Sequence, residues 1–168
     1  MTREERNLIL LADDSALMQQ CELIMQKGTG NGGQKINKTS SAVRLRHKLT
    51  GLAVAANEHR SQSQNRHIAL NKLRLKTAFS IRTAPDFDFS LEPLPSPANA
   101  SRLIPWIADV FDHAEFCGWD LVNTASSLHV SASKLEKSLR HYPDVWKSWC
   151  EHRNALSPDK PVPSAPAE

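Results

Sequence analysis

The residues best placed to do chemistry in this 168-residue sequence are the run Gly28-Thr29-Gly30-Asn31-Gly32-Gly33-Gln34, followed by Lys35-Ile36-Asn37-Lys38-Thr39. Four of the six glycines fall within six positions here. Lacking a Cβ, glycine takes up φ > 0 and lets backbone N–H groups approach a ligand closely. Such a loop serves as a phosphate cradle, a turn or a linker according to its neighbours. A Walker loop ends in Gly-Lys-Ser or Gly-Lys-Thr, whereas this one runs Gly33-Gln34-Lys35-Ile36. A dinucleotide site needs a βαβ frame with an acidic residue about 20 positions on, and no acidic residue follows Gln34 until Glu58. Both nucleotide readings fail.

A second set of reactive side chains lies downstream. His113 and Cys117 stand four apart on an expected helix, and Cys150 and His152 are close in sequence. No Cys-x-x-Cys pair accompanies them, so buried thiols and histidines explain these residues more simply than a metal, and neither a metal nor a cofactor is expected. His47, His59 and His67 have no paired nucleophile and read as RNA contacts or packing. Three isolated cysteines, Cys21, Cys117 and Cys150, agree with a reducing compartment. The N-terminal Met1-Thr2-Arg3-Glu4-Glu5-Arg6 lacks the basic-then-apolar pattern of a signal peptide, so a cytoplasmic location is expected. No apolar run approaches the roughly 20 residues of a membrane-spanning helix.

Charge is distributed unevenly. Lys27 to Arg82 holds twelve Lys or Arg against one acidic residue, a surplus of eleven, so with +3 overall the rest of the chain carries −8. Such a field attracts a polyanion, with each phosphate contact adding roughly 0.7 to 0.9 to the log–log salt slope; the bland alternative is a solvated basic face.

The elements that must position the loop follow from pattern. Asp13-Asp14-Ser15 is a helix-capping cluster, and Ala16, Leu17 and Cys21 suggest a short amphipathic helix after it. Glu22 to Gln26 reads as a strand entering the loop. Ala42-Val43-Arg44-Leu45-Arg46 alternates apolar and basic residues as a half-buried strand does, and Thr50-Gly51 turns it back into a strand over 52–56. The outer face of that hairpin is arginine-rich. Ser61-Gln62-Ser63-Gln64 fits a capping box, predicting a helix to about Phe79 with Ile68, Ala69, Leu73 and Leu75 available for burial between Arg66, Lys72, Arg74 and Lys76.

Pro93, Pro95 and Pro97 mark a linker. Beyond it the spacing predicts one helix through Ile107, Val110, Phe111 and Ala114, with Pro105 tolerable in the first turn and Gly118 as stop. Further helices are expected over 120–128, from Ser131 to near Arg140, and after Pro143-Asp144 with Val145, Trp146 and Trp149 inward. Ala125, Leu128, Val130 and Leu135 are spaced as in a helix-turn-helix, with His129 where glycine is usual and Lys134, Lys137 and Arg140 lining one face of its second helix. Residues 93–168 hold seven basic and nine acidic groups, however. Packing or docking is therefore favoured over sequence-specific DNA reading.

Gly30-Asn31-Gly32-Gly33-Gln34, then Asn37-Lys38-Thr39, Ser41-Ala42-Val43-Arg44, Thr50-Gly51, Arg60-Ser61-Gln62 and Asn65-Arg66 run in one order and spacing. In these residues the chain resembles the catalytic domain of class I peptide chain release factors and the related codon-independent ribosome-rescue hydrolases. The match covers roughly residues 22 to 80, about a third of the chain. Lys27 stands where the family commonly has arginine, Asn31 where it has alanine or proline, and Lys35 and Ser63 where it has histidines; the Gly-Gly-Gln core is intact.

The resemblance implies an α+β fold for the first part, a small domain with a short antiparallel sheet and a packed helix over 1–92; proline content and helical spacing add a Pro-rich linker over 93–100, an all-α helix-turn-helix-like module over 101–156 and a disordered tail over 157–168. It implies hydrolysis of the peptidyl-tRNA ester in the peptidyl transferase centre, with ribosomal RNA and peptidyl-tRNA as partners and no membrane. Gly32 and Gly33 would permit an unusual backbone path, and the Gln34 N–H would face the oxygen on which negative charge develops. The Gln34 side chain would help shape a cavity that admits water. Lys27, Lys35, Asn37, Lys38, Thr39, Arg44, Arg46, Arg60, Gln62 and Arg66 are the expected RNA contacts, with Arg60-Ser61-Gln62 alternatively a structural corner between sheet and helix. Domains that read stop codons are not expected, which makes release codon-independent; yet the tail is proline-rich and nearly neutral where short rescue hydrolases carry a basic one. A non-hydrolytic ribosome-binding factor and a helix-turn-helix regulator are the alternatives.

Overall fold

A computed structural model describes residues 1–26, 42–87 and 100–156. They fall into two compact units divided between Ser80 and Ile81. The glycine-rich loop, most of the proline linker and the C-terminal tail lie outside the described residues.

The first unit begins with a helix that sequence pattern did not single out, α1 (Arg3–Leu11). Thr2 caps it through a reciprocal box with Glu5 (Glu5 N to Thr2 Oγ1, 3.2 Å; Thr2 N to Glu5 Oε2, 2.8 Å). Asp13 then caps α2 (Asp14–Gln19), its Oδ1 accepting from Ala16 N at 2.8 Å. Cys21, expected at the end of that helix, instead opens β1 (Cys21–Gln26). With β2 (Ala42–His47) and β3 (Ala53–Ala56) it forms an antiparallel sheet in the order β1-β2-β3. Helix α3 (Gln62–Ser80) packs on β2 and β3, and α1 and α2 pack beside it. The core is a single cluster in which Leu17, Leu45, Ala69 and Leu73 are fully buried; burying a leucine contributes about 1.5–3 kcal/mol. On α3 the burial is broader than the periodicity suggests: Ile68 and Leu75 are half-buried, while Asn65, Arg74 and Thr77 are buried. Arg74 is inside because its guanidinium has partners there. Its Nη2 donates to Asp14 Oδ1 at 2.8 Å and to the Ala12 carbonyl at 2.7 Å, and Nη1 donates to Asn71 Oδ1 at 3.1 Å.

The second unit is helical: α4 (Ala100–Phe116), α5 (Leu121–Ser127), α6 (Ala132–Arg140) and α7 (Pro143–Leu156). Helix α4 starts a turn earlier than expected, so Pro105 sits sixth in it rather than in the first turn; a proline there removes one i→i−4 bond. At its other end Gly118 adopts φ +62°. The Gly118 and Trp119 N–H groups bond the Glu115 and Ala114 carbonyls at 3.2 and 2.7 Å, a Schellman stop. Asp120 and Ser131 cap α5 and α6. Phe111, Trp119 and Trp149 meet edge to face with centroids 5.1–6.0 Å apart, and His152 stacks on Trp119 at 4.4 Å. Val145 and Trp149 point inward as expected, but Trp146 is only half-buried.

Candidate nucleic-acid interface around the glycine loop

Strand pairing fixes where the loop is anchored. The β1–β2 register runs from Cys21↔His47 to Gln26↔Ala42, so residues 27–41 connect two hydrogen-bonded strand ends. Of the sequence-expected site residues, Lys27, Gly32, Gly33, Gln34, Lys35, Asn37, Lys38 and Thr39 belong to this connection and lie outside the described residues. Arg44, Arg46, Arg60, Gln62 and Arg66 are described, and they occupy two places.

Arg44 and Arg46 come from the strict alternation of β2. Val43, Leu45 and His47 turn into the core, so the two arginines stand exposed on the opposite face. Register places Ile24 and Glu22 beside them on β1, and Ala55 and Ala53 on β3. At the far end of the hairpin, buried His47 closes the turn. Thr50 N donates to its Nδ1 at 3.2 Å, which leaves the proton on Nε2 to donate to Gln20 Oε1, also at 3.2 Å. Burial pushes the His47 imidazole below its ordinary pKa.

Arg60, Gln62 and Arg66 surround the β3-to-α3 corner. The corner is held by their neighbours. Ser61 Oγ accepts from Gln64 N at 3.5 Å, and buried Asn65 grips the His59 backbone from both sides, accepting from its N–H at 2.8 Å and donating to its carbonyl at 2.7 Å. Gln62 is the half-buried first residue of α3, and Arg60 is exposed. Arg66 lines a groove of about 520 Å³ between α2 and α3, along with Ser15, Gln19, Ser63 and His67. Asp14 at the rim is tied to α3. Partial burial alone would raise its carboxyl pKa, but the hydrogen bonds from His67 Nδ1 at 2.7 Å and from Arg74 outweigh that and hold it below the usual value.

The eight basic residues over 42–80 divide evenly by what they touch. Lys48 donates to the Gln19 carbonyl, Lys72 to Glu58 and the Ala55 carbonyl, Lys76 to the Ala53 carbonyl, and Arg74 to Asp14. The side chains of Arg44, Arg46, Arg60 and Arg66 make no hydrogen bond or ion pair with any described residue. Sequence reasoning reached these four through the resemblance; composition alone does not separate them from the anchored four.

Among the described residues no group of three His, Cys, Asp or Glu is arranged to hold a metal ion. His113 spends its ring nitrogens on Ser127 Oγ (3.0 Å) and the Asp86 carbonyl (3.1 Å). His152 bonds the Ser148 carbonyl at 2.8 Å. No described helix is long and apolar enough to cross a membrane.

Residues 17–84 match the RF-1 domain family. The chain is 47% identical over 73 residues to an uncharacterized mitochondrial peptide chain release factor-like protein of Saccharomyces cerevisiae, covering 43% of this chain and 47% of that protein. It is 58% identical over 50 residues to peptide chain release factor 2 of Lactiplantibacillus plantarum, 30% of this chain and 13% of that protein. With peptide chain release factor 1 of an Anaeromyxobacter species the identity is 47% over 81 residues, 48% of this chain and 19% of that protein. The chain thus spans less than half the length of these relatives. The segment that matches the RF-1 domain, 17–84, is the one that holds the three-stranded sheet, helix α3 and the Gly32-Gly33-Gln34 sequence between β1 and β2, and over it the chain is similar to peptide chain release factors.

Proposed function

We propose that the protein hydrolyses the ester between nascent peptide and tRNA on the ribosome, and does so without reading a stop codon, on stalled complexes. The observation that carries this reading is the RF-1 match over a segment holding Gly32-Gly33-Gln34 between two paired strands. The Gln34 N–H is assigned to the developing oxyanion, with Gly32 and Gly33 giving the backbone its path; a preorganised donor of this kind contributes about 10²–10³ in rate. Ribosome and substrate supply the proton path, and the protein's chief contribution is positioning. Arg44, Arg46, Arg60 and Arg66, with the loop residues Lys27, Lys35, Asn37, Lys38 and Thr39, are assigned to ribosomal RNA, and Gln62 to the same surface. Cytoplasmic ribosomes are the proposed site of action, and the mitochondrial name of the yeast relative makes organellar ribosomes the substrate to compare.

The test is peptidyl-tRNA hydrolysis on ribosomes stalled at the end of a truncated mRNA, with the intact chain, Gly33→Ala and Gln34→Ala. The expected result is release by the intact chain and a loss of about 10²-fold or more in both variants with ribosome binding retained. Tight binding without release by the intact chain would replace the hydrolase by a binding factor.

A further inference from the structure

The second unit holds a cationic site that the hydrolase reading does not use. Helix α6 buries Leu135 and Leu139 and turns Ser133, Lys134 and Lys137 to solvent. A shallow groove of about 510 Å³ on that face is lined by Ser133, Glu136, Lys137, Arg140 and His141. Arg140 is fixed in it. Its guanidinium lies 4.3 Å over the Trp146 ring, and its Nε donates to Glu136 Oε1 at 2.9 Å. Cation–π stacking and the ion pair together fix the plane of the fork. Neither Nη is bonded by a described residue. Glu136, the one carboxylate in the groove, is occupied by Arg140.

Two of the module's carboxylates are turned inward. Asp109 and Asp112 are buried, and Asp112 accepts from Thr83 N at 3.0 Å and Thr83 Oγ1 at 2.7 Å. The element order follows the helix-turn-helix spacing read in the sequence: α5 and α6 pack together, Ala125, Leu128 and Leu135 are buried, and His129 takes φ +57° between the helices. In DNA-binding proteins with that motif the exposed face of the second helix meets the duplex; an RNA duplex, whose major groove is too narrow for a helix, would be met by the same face only at its backbone.

We infer that the α6 face is a second nucleic-acid contact, in which the stacked Arg140 takes a backbone phosphate through both Nη groups and Lys137 neutralises a neighbouring one. The ligand is duplex RNA contacted through its backbone: Lys137, Arg140, Ser133 and His141 supply phosphate donors, and the ribosome reading makes RNA the polyanion that this face meets. This assignment of ribosomal RNA rests on the ribosome reading above; the phosphate chemistry does not.

The experiment uses the full chain carrying Gln34→Ala, so that binding is measured without turnover. Dissociation constants are measured against KCl concentration for ribosomes and, separately, for poly(A)·poly(U). Arg140→Lys keeps the charge and loses the stacked fork, Lys137→Ala removes one exposed cation, and Lys147→Ala, exposed on α7 outside the groove, is the control. Arg140→Lys should weaken both ligands about tenfold, the worth of a charge-assisted hydrogen bond. Lys137→Ala should lower the salt slope by about 0.7–0.9. Lys147→Ala should do neither, and all three should melt like the parent. Unchanged binding of poly(A)·poly(U) by Arg140→Lys and Lys137→Ala overturns the site. Weakened RNA binding with intact ribosome binding overturns the ribosomal assignment. Failure of the unsubstituted chain to bind ribosomes while α6 variants still weaken duplex RNA would count against the ribosome reading and leave the phosphate site standing.

Discussion

His47 and Asn65 illustrate how single residues divide between holding the fold and meeting a ligand. In sequence His47 sits in a basic stretch, where RNA contact and packing are equal readings. The structure buries it, with Gln20, 27 positions away, as one partner. That partner was invisible in sequence because it arises only from β1–β2 pairing. Burial lowers the His47 pKa below its ordinary value of about 6.5. In the unfolded chain the imidazole therefore takes up its proton first as pH falls. The resulting stability is complete above about 6.5 and is lost as pH drops from there through the lowered folded value. Hydrogen exchange of the β2 amides against pH should show a stability slope below about 6.5 that flattens in His47→Gln; the same slope in both proteins would refute this. Asn65, by contrast, was legible as part of the family pattern but not in its role, because nothing in sequence shows a side chain closing on a backbone six residues earlier.

Helices with capping residues were the most legible elements. Asp13, Ser61, Asp120 and Ser131 all stand at helix starts, and Gly118 stops α4. Helix α1 is not announced by periodicity even though Thr2 and Glu5 are a capping pair, since its apolar residues come as one run, Leu8-Ile9-Leu10-Leu11, rather than at helical spacing. The sheet edge carries a feature that no pattern announces. Strand β3 ends the sheet, and the Lys72 and Lys76 ammonium groups on α3 occupy the outward carbonyls of Ala55 and Ala53 at 3.3 and 3.0 Å. Lysines at an edge block strand addition by another chain. Replacing both by alanine removes the cover from a strand whose side chains are small, Ala53-Val54-Ala55-Ala56. The expected outcome is concentration-dependent self-association in sedimentation velocity, with the parent monodisperse at the same concentrations. A double variant that stays monodisperse would show that the lysines serve charge alone.

For the whole molecule the sequence shows the total field but not its usable part. A surplus of eleven positive charges from Lys27 to Arg82 is visible in the letters. Which cations face a ligand depends on tertiary partners: Arg74 reaches residues about 60 positions away, and Lys48 reaches back 29 to the Gln19 carbonyl. Arg44 and Lys48 make the sharpest comparison, because both are exposed, both lie near one hairpin and each removes one charge on substitution. If binding follows the general field, Arg44→Ala and Lys48→Ala will lower the salt slope of ribosome binding alike. If it follows contacts, Arg44→Ala will lower it by about 0.7–0.9 and Lys48→Ala by far less, since a Debye length near 10 Å at 0.1 M salt screens charges that do not touch a phosphate. The lack of a partner for Arg44 among the described residues and the occupied ammonium of Lys48 favour the second result. Binding isotherms from 50 to 200 mM KCl with the Gln34→Ala background decide it, and equal slopes for the two variants would remove the distinction between anchored and free cations on which the interface is drawn.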